Sequence, residues 1–271
     1  MKQKFAETSR LSGMMSPRSS ARTSCGAPGS RALRRAALLA LATADAAPIG
    51  ARSTRRILLL HGTGASAAAF VNHGAKPLIS AVPCRLDAGA PGVPLNWQFS
   101  ALDADEGLPL RGAGYDGEWW GYPKGEDEDT ATKCPGADES IAAVEANVVE
   151  DGIAGIVGFE QGGALAAIVA ARSALGDGPP LQFAVCIAAA APRPFAPLFQ
   201  RLRDTPSASI PTMHCVSEAD ANHRAGVALA DAFGPTAQLV WHENGRKMPP
   251  REFLRDVVAP FLSDAAWDGK V

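Results

Sequence analysis

Apolar residues in this chain gather into short continuous runs, set apart by stretches that repeat at helical spacing. The runs are Ile57 to Leu60, Ala81 to Asp87, Ile153 to Val157, Gln182 to Ala188, Pro211 to Val216 and Gln238 to His242. Runs of four to eight residues bounded by Gly, Pro or polar clusters predict strands buried on both faces. Between them, helices are predicted at 67–79, 138–150, 163–175, 199–202, 225–233 and 252–262. In the second of these, Ile141, Val144, Val148 and Val149 recur at helical spacing, and Asp138 is placed to act as N-cap. Strand and helix alternate, which predicts a doubly wound, mostly parallel sheet flanked by helices through right-handed crossovers.

One segment breaks the rhythm. Residues 88 to about 136 carry no period and read as a long irregular insertion holding Trp97, Tyr115, Trp119, Trp120 and Tyr122. Loops of this length inside a domain serve as lids, binding loops or disordered segments. The acid run Glu126-Asp127-Glu128-Asp129 reads as a solvated loop tip. Trp119 and Trp120 read either as packing over the sheet or as lining a substrate pocket, since two adjacent indoles are costly to expose.

Composition narrows the class. A chain of 271 residues, 46% hydrophobic with a net charge of −2, suits one large α/β domain, here 55–263, followed by a short tail, 264–271. No apolar run approaches the ~18 residues of a membrane span. No basic stretch persists in the body of the chain, which argues against nucleic acid. The five cysteines show neither a C-x-x-C pair nor zinc spacing, so no metal or other cofactor is expected. Cys84, Cys186 and Cys215 fall in the strand-like runs and read as buried free thiols.

Residues 1–54 differ in kind: rich in Ser, Ala and Arg, they carry nine basic residues against Glu7 and Asp45. This is the composition of a disordered transit peptide, pointing to a plastid or mitochondrion, with a cytoplasmic address as the alternative. Arg34-Arg35 ahead of the apolar run Ala36 to Ala42, then Ala44-Asp45-Ala46, also offers a second targeting step with a small-x-small cleavage site.

The chemistry centres on Gly158-Phe159-Glu160-Gln161-Gly162, where a buried strand passes straight into an Ala-rich helix. That turn, with Gly at both ends, is the G-x-S-x-G nucleophile elbow with glutamate in the serine position. Upstream, Leu60-His61-Gly62-Thr63-Gly64 ends the first strand where hydrolases place an oxyanion amide. Downstream, Glu218-Ala219-Asp220 follows the run ending at Val216, and Gly245-Arg246-Lys247-Met248-Pro249 lies in the last loop.

Taken in order with the Trp119-Trp120 pair, these pieces resemble the FSH-type serine hydrolases, an α/β-hydrolase family of acyl esterases and thioesterases, over roughly 55–263. The resemblance implies a Ser-Asp-His triad. Its acid falls on Asp220, its serine position on Glu160 and its histidine position on Arg246. It also implies an oxyanion hole from the amides of Thr63 and Gln161, while Trp119 and Trp120, as candidate substrate-binding residues, stay open between packing and lining an acyl or aromatic pocket. Guanidinium stays protonated at any working pH, so Arg246 cannot serve as general base. His61, His223 and His242 remain as stand-ins, each more often structural than catalytic.

Glu160 and Arg246 are expected to ion-pair, with Asp220 on the far side of the guanidinium. The competing geometry turns the Glu160 carboxylate into the oxyanion hole. Three functions follow: a catalytically impaired pseudo-hydrolase that binds a small acyl-type ligand or partner, an active ester or thioester hydrolase with an altered site, or a structural protein without a pocket. Oligomeric state is not encoded in any motif.

Overall fold

The buried runs assemble into one parallel sheet in a computed structural model, which describes residues 54–86, 96–104 and 117–265. All of these lie within the unit Ile49–Val271. Residues 1–53 of the predicted leader, with its targeting signals, Tyr115 and the tail beyond residue 265 lie outside the described residues; Thr54, the leader's last predicted position, is the first residue of the sheet.

Strand β1 (Thr54–Leu60) leads through a short turn, α1 (Ala67–Ala69), into helix α2 (Lys76–Leu86). Strand β2 (Asn96–Leu102) and helix α3 (Ala137–Glu150) follow, then strand β3 (Ile153–Phe159), helix α4 (Gln161–Ala174) and strand β4 (Phe183–Ile187). Helix α5 (Ala196–Arg203), strand β5 (Thr212–Val216), helix α6 (His223–Ala232) and strand β6 (Ala237–Trp241) come next. The short turn α7 (Arg251–Phe253) and helix α8 (Ala259–Ala265) end the described chain.

The strand order is β2-β1-β3-β4-β5-β6, every pair parallel. The order reverses direction at β1, so helices cover both faces. The crevice at the C-terminal ends of β1 and β3 is where open α/β sheets bind ligands.

The two faces form two cores. Leu58, Leu60, Ile156, Ala184 and Cys186 point to one, packed under α3, α4 and α5 with Trp119 and Trp120. Ile57, Leu59, Val157, Val185 and Ile187 point to the other, packed under α2 and α8. Helix α4 is buried along Gln161 to Ala171 because small residues let it lie close on the sheet. Among the described residues no helix is long and apolar enough to cross a membrane.

Three local expectations change. Residues 81–86 of the run belong to helix α2, not to a strand, so Cys84 is helical. Its buried residues Leu78, Ala81 and Val82 step at helical intervals. The second strand is instead β2, inside the stretch read as irregular, where the edge position tolerates Gln98 exposed between Trp97 and Phe99. At α3 the N-cap is Gly136, at φ 87, and Asp138 lies one residue inside the first turn, where its charge suits the helix dipole.

Candidate active site

Glu160 sits between β3 and α4 at φ 48 and ψ −116, a conformation side chains rarely adopt. The packing around the turn enforces it. A Cβ on Gly158 would come within 2.1 Å of the Gly162 carbonyl, and one on Gly162 within 2.3 Å of the His61 carbonyl. The sequence therefore retains the sharp strand-to-helix turn that lifts residue 160 above the sheet edge.

The Glu160 carboxylate, about one-fifth exposed, places Oε1 3.3 Å from Nε of Arg246. Its Oε2 lies over Gly62, occupying the place a Cβ there would need. Among the described residues, the amides of Thr63 and Gln161 find no acceptor, and neither donates to Glu160. The carboxylate thus leans toward the oxyanion loop while its pairing goes to the arginine.

Arg246 arrives on the loop after β6. Its Nη1 and Nη2 donate to Oε1 and Oε2 of Glu128 at 2.9 and 3.2 Å, a two-pronged clamp. The far side of the guanidinium is therefore held by Glu128 and not by Asp220. Asp220 is buried, and its carboxylate accepts the amide of Asn222 at 2.9 Å. Asn222 in turn donates its side-chain amide to Glu128.

Electrostatics weigh the partners unequally. Burial raises the pKa of Glu160, and the opposing pull of Arg246 does not cancel it. The hydrogen bonds that Arg246 donates to Glu128 push its guanidinium further into the charged form. Burial also raises Glu118. It is the main reason the Tyr122 phenol is pushed up to about 12.

Gln161 fixes the opposite wall. Its side chain accepts the Trp119 amide and donates to the Trp120 carbonyl, each at 2.8 Å. Trp119 donates its indole N–H to the His61 carbonyl at 2.9 Å, and its own carbonyl accepts the hydroxyl of Ser140. Both indoles are fully buried, so Trp119 is structural packing beneath the site. Trp120 reaches the cavity wall, its N–H on the Tyr122 hydroxyl at 3.0 Å.

The partly open cavity between these walls is about 150 Å³, lined by Thr63, Glu118, Trp120, Tyr122, Glu128, Glu160 and Gln161 among others. A broader hollow of about 400 Å³ lies around Ser217, Trp241 and His242; of the sequence-predicted candidates it holds only the stand-in His242, and none of Glu160, Asp220 and Arg246.

The three candidate histidines are otherwise engaged. His61 Nε2 accepts the Ala104 amide at 3.1 Å, which puts its proton on Nδ1, facing the Gly62 carbonyl. His223 Nδ1 bonds the backbone carbonyl of Asp220 at 2.8 Å. His242 is buried, accepts the Asn244 amide at 3.2 Å, and is held toward its neutral form by desolvation. None has a hydrogen bond or ion pair to Glu160. Among the described residues no cluster of His, Cys, Asp and Glu could hold a metal ion.

Glu128, Glu118 and Asn222 are site residues the sequence did not announce. Glu128 lies in the acid run whose sequence predicts a solvated tip. No sequence signal singles it out, because Arg246 already has Glu160 and Asp220 as expected carboxylate partners.

The family model described as Serine hydrolase (FSH1) matches residues 51–256. Among solved structures, Zea mays acyl-protein thioesterase 2 is 22% identical, with a TM-score of 0.53 over 80% of this chain and 95% of that one. Arabidopsis thaliana SOBER1 is 19% identical, with a TM-score of 0.53 over 79% of this chain and 100% of that one. Esterase PE8 is 17% identical, with a TM-score of 0.52 over 79% and 93%. At these identities the likeness is one of fold. No curated protein matches the chain.

Proposed function

The chain belongs to the FSH1 serine hydrolase family, and from that premise we propose that it is a catalytically impaired member whose former catalytic centre is filled by an ion pair. The observation that carries this reading is the Glu160 carboxylate at the elbow, 3.3 Å from Nε of Arg246. Serine hydrolases need a nucleophile whose proton a neutral imidazole can take. Here the elbow residue has no hydroxyl, and the side chain facing it is a cation that cannot accept a proton.

A carboxylate can itself serve as nucleophile, but the resulting ester must be released by an activated water. With no imidazole bonded to Glu160, nothing in the site supplies that activation. The unengaged Thr63 and Gln161 amides and the cavity beside Trp120 support retention of a small acyl-type ligand, with an oxygen on the amides.

Turnover of p-nitrophenyl butyrate tests the reading. The wild-type chain is expected to show no hydrolysis above background and no labelling by a fluorophosphonate. The double substitution E160S/R246H restores a hydroxyl and an imidazole beside Asp220 and the two amides, and is expected to gain measurable turnover. Each single substitution gains little, because triad members act as a unit. Wild-type turnover lost on E160Q would overturn the reading.

A further inference from the structure

Residues 123–132 fold into a self-contained turn. The Asp127 carboxylate accepts the amides of Asp129 and Thr130 at 3.2 and 3.0 Å, and Glu126 accepts the Thr132 amide at 2.6 Å. Backbone bonds from Glu126 to Pro123 and from Ala131 to Asp127 close it. Three of the four acids in the run thus shape or solvate the turn. Glu128 alone points inward.

From that position Glu128 joins three separate connections at the C-terminal edge of the sheet. Its carboxylate clamps Arg246 after β6 and accepts Asn222 after β5, and its backbone carbonyl accepts the Arg193 amide after β4 at 3.2 Å. The same carboxylate lines the cavity beside Glu160. At about 150 Å³ the partly open cavity is below the roughly 300 Å³ at which ordinary ligand pockets begin.

We propose that Glu128 is the positioning residue and latch of this site: it turns Arg246 onto Glu160 and holds residues 123–132 across the cavity, so that a ligand reaches the elbow only when that carboxylate lets go. This rests on reading the elbow cavity as the ligand site, and adds how access to it is controlled. A two-pronged carboxylate–guanidinium pair suits a latch, since it is directional when made and releases both prongs together.

Two measurements test it. In the otherwise native chain, E128Q keeps the side-chain length but loses the charge. Amide hydrogen exchange of residues 123–132 and 242–250 is expected to accelerate about tenfold or more, while exchange in β3 and β4 stays unchanged. In an E160C background, iodoacetamide labelling of the introduced thiol reports access to the elbow, read by mass spectrometry on the peptide holding residue 160. E128Q is expected to raise that rate about tenfold on its pH-independent plateau, where a shifted thiol pKa no longer contributes. Either rate remaining within about twofold of its parent overturns the proposal. Should E160C not fold, the exchange experiment decides alone. The impaired-hydrolase reading fails on a different result, ester turnover by the wild-type chain.

Discussion

Two effects of opposite sign act on the Glu160 carboxylate. Burial favours its neutral form, Arg246 favours the charged form, and burial is the larger. The folded-state pKa therefore lies above the ordinary 4.5. In the window above 4.5 the folded state holds more proton than the unfolded chain, so this residue's contribution to stability falls as pH rises through that window. Glu160→Gln removes the titration. Urea unfolding of both chains between pH 4 and 8 should show wild type losing stability relative to the variant as pH rises, then levelling off. A relative gain with rising pH would mean the ion pair outweighs burial. Glu118 shifts in the same direction but is common to both chains. At this scale the sequence revealed much of the site, because Glu160 and Arg246 stand where a fixed backbone pattern expects other residues. Glu128 stayed hidden because its partner is 118 positions away and nothing periodic marks a loop acid as buried.

The elbow is held as an element, by close backbone packing on one side and by Gln161 on the other. Gln161 is 7% exposed, and its amide satisfies one donor and one acceptor of the Trp119-Trp120 backbone. Gln161→Ala leaves both backbone groups unpaired in a dry environment, a loss of about 1–3 kcal/mol for each group left buried. Denaturant unfolding should show a destabilisation of about 2–4 kcal/mol, reduced where water enters the space left behind. A change below about 0.5 kcal/mol would show that the Trp pair is fixed by packing alone. Elements were legible where burial was two-sided: β1, β3, β4 and β5 are continuous apolar runs. They were illegible at β2 and at the end of α2. A short apolar run fits helix and strand alike, and β2 alternates polar with apolar because the face carrying Trp97, Phe99 and Ala101 packs on the second core while Gln98 on the other face is exposed.

Across the whole molecule, the sheet is shared property. Successive residues of one strand serve different cores: Leu58 and Leu60 face the layer under α4, and Ile57 and Leu59 face the layer under α2 and α8. The same division runs through β3, with Ile156 on one side and Val157 on the other. The architecture was legible from the strand–helix alternation because only a parallel sheet covered on both faces buries so many unbroken apolar runs. The arrangement also constrains how the molecule comes apart. Neither layer can melt without exposing the back of strands that the other layer needs, so the two cores should unfold together, although a domain of this size is large enough for intermediates. Leu58→Ala and Leu59→Ala probe the two faces at adjacent positions that are 1% and 0% exposed. Each should lower one common transition by about 2–5 kcal/mol, the usual cost of such a truncation in a core. Far-UV circular dichroism and tryptophan fluorescence should report the same midpoint in both variants. Trp119 and Trp120 lie in the first layer and Trp97 in the second, so fluorescence samples both. If one variant splits the curve and shifts only one part, the layers are separable, and the elbow, whose strand lies between them, would inherit its rigidity from one face alone.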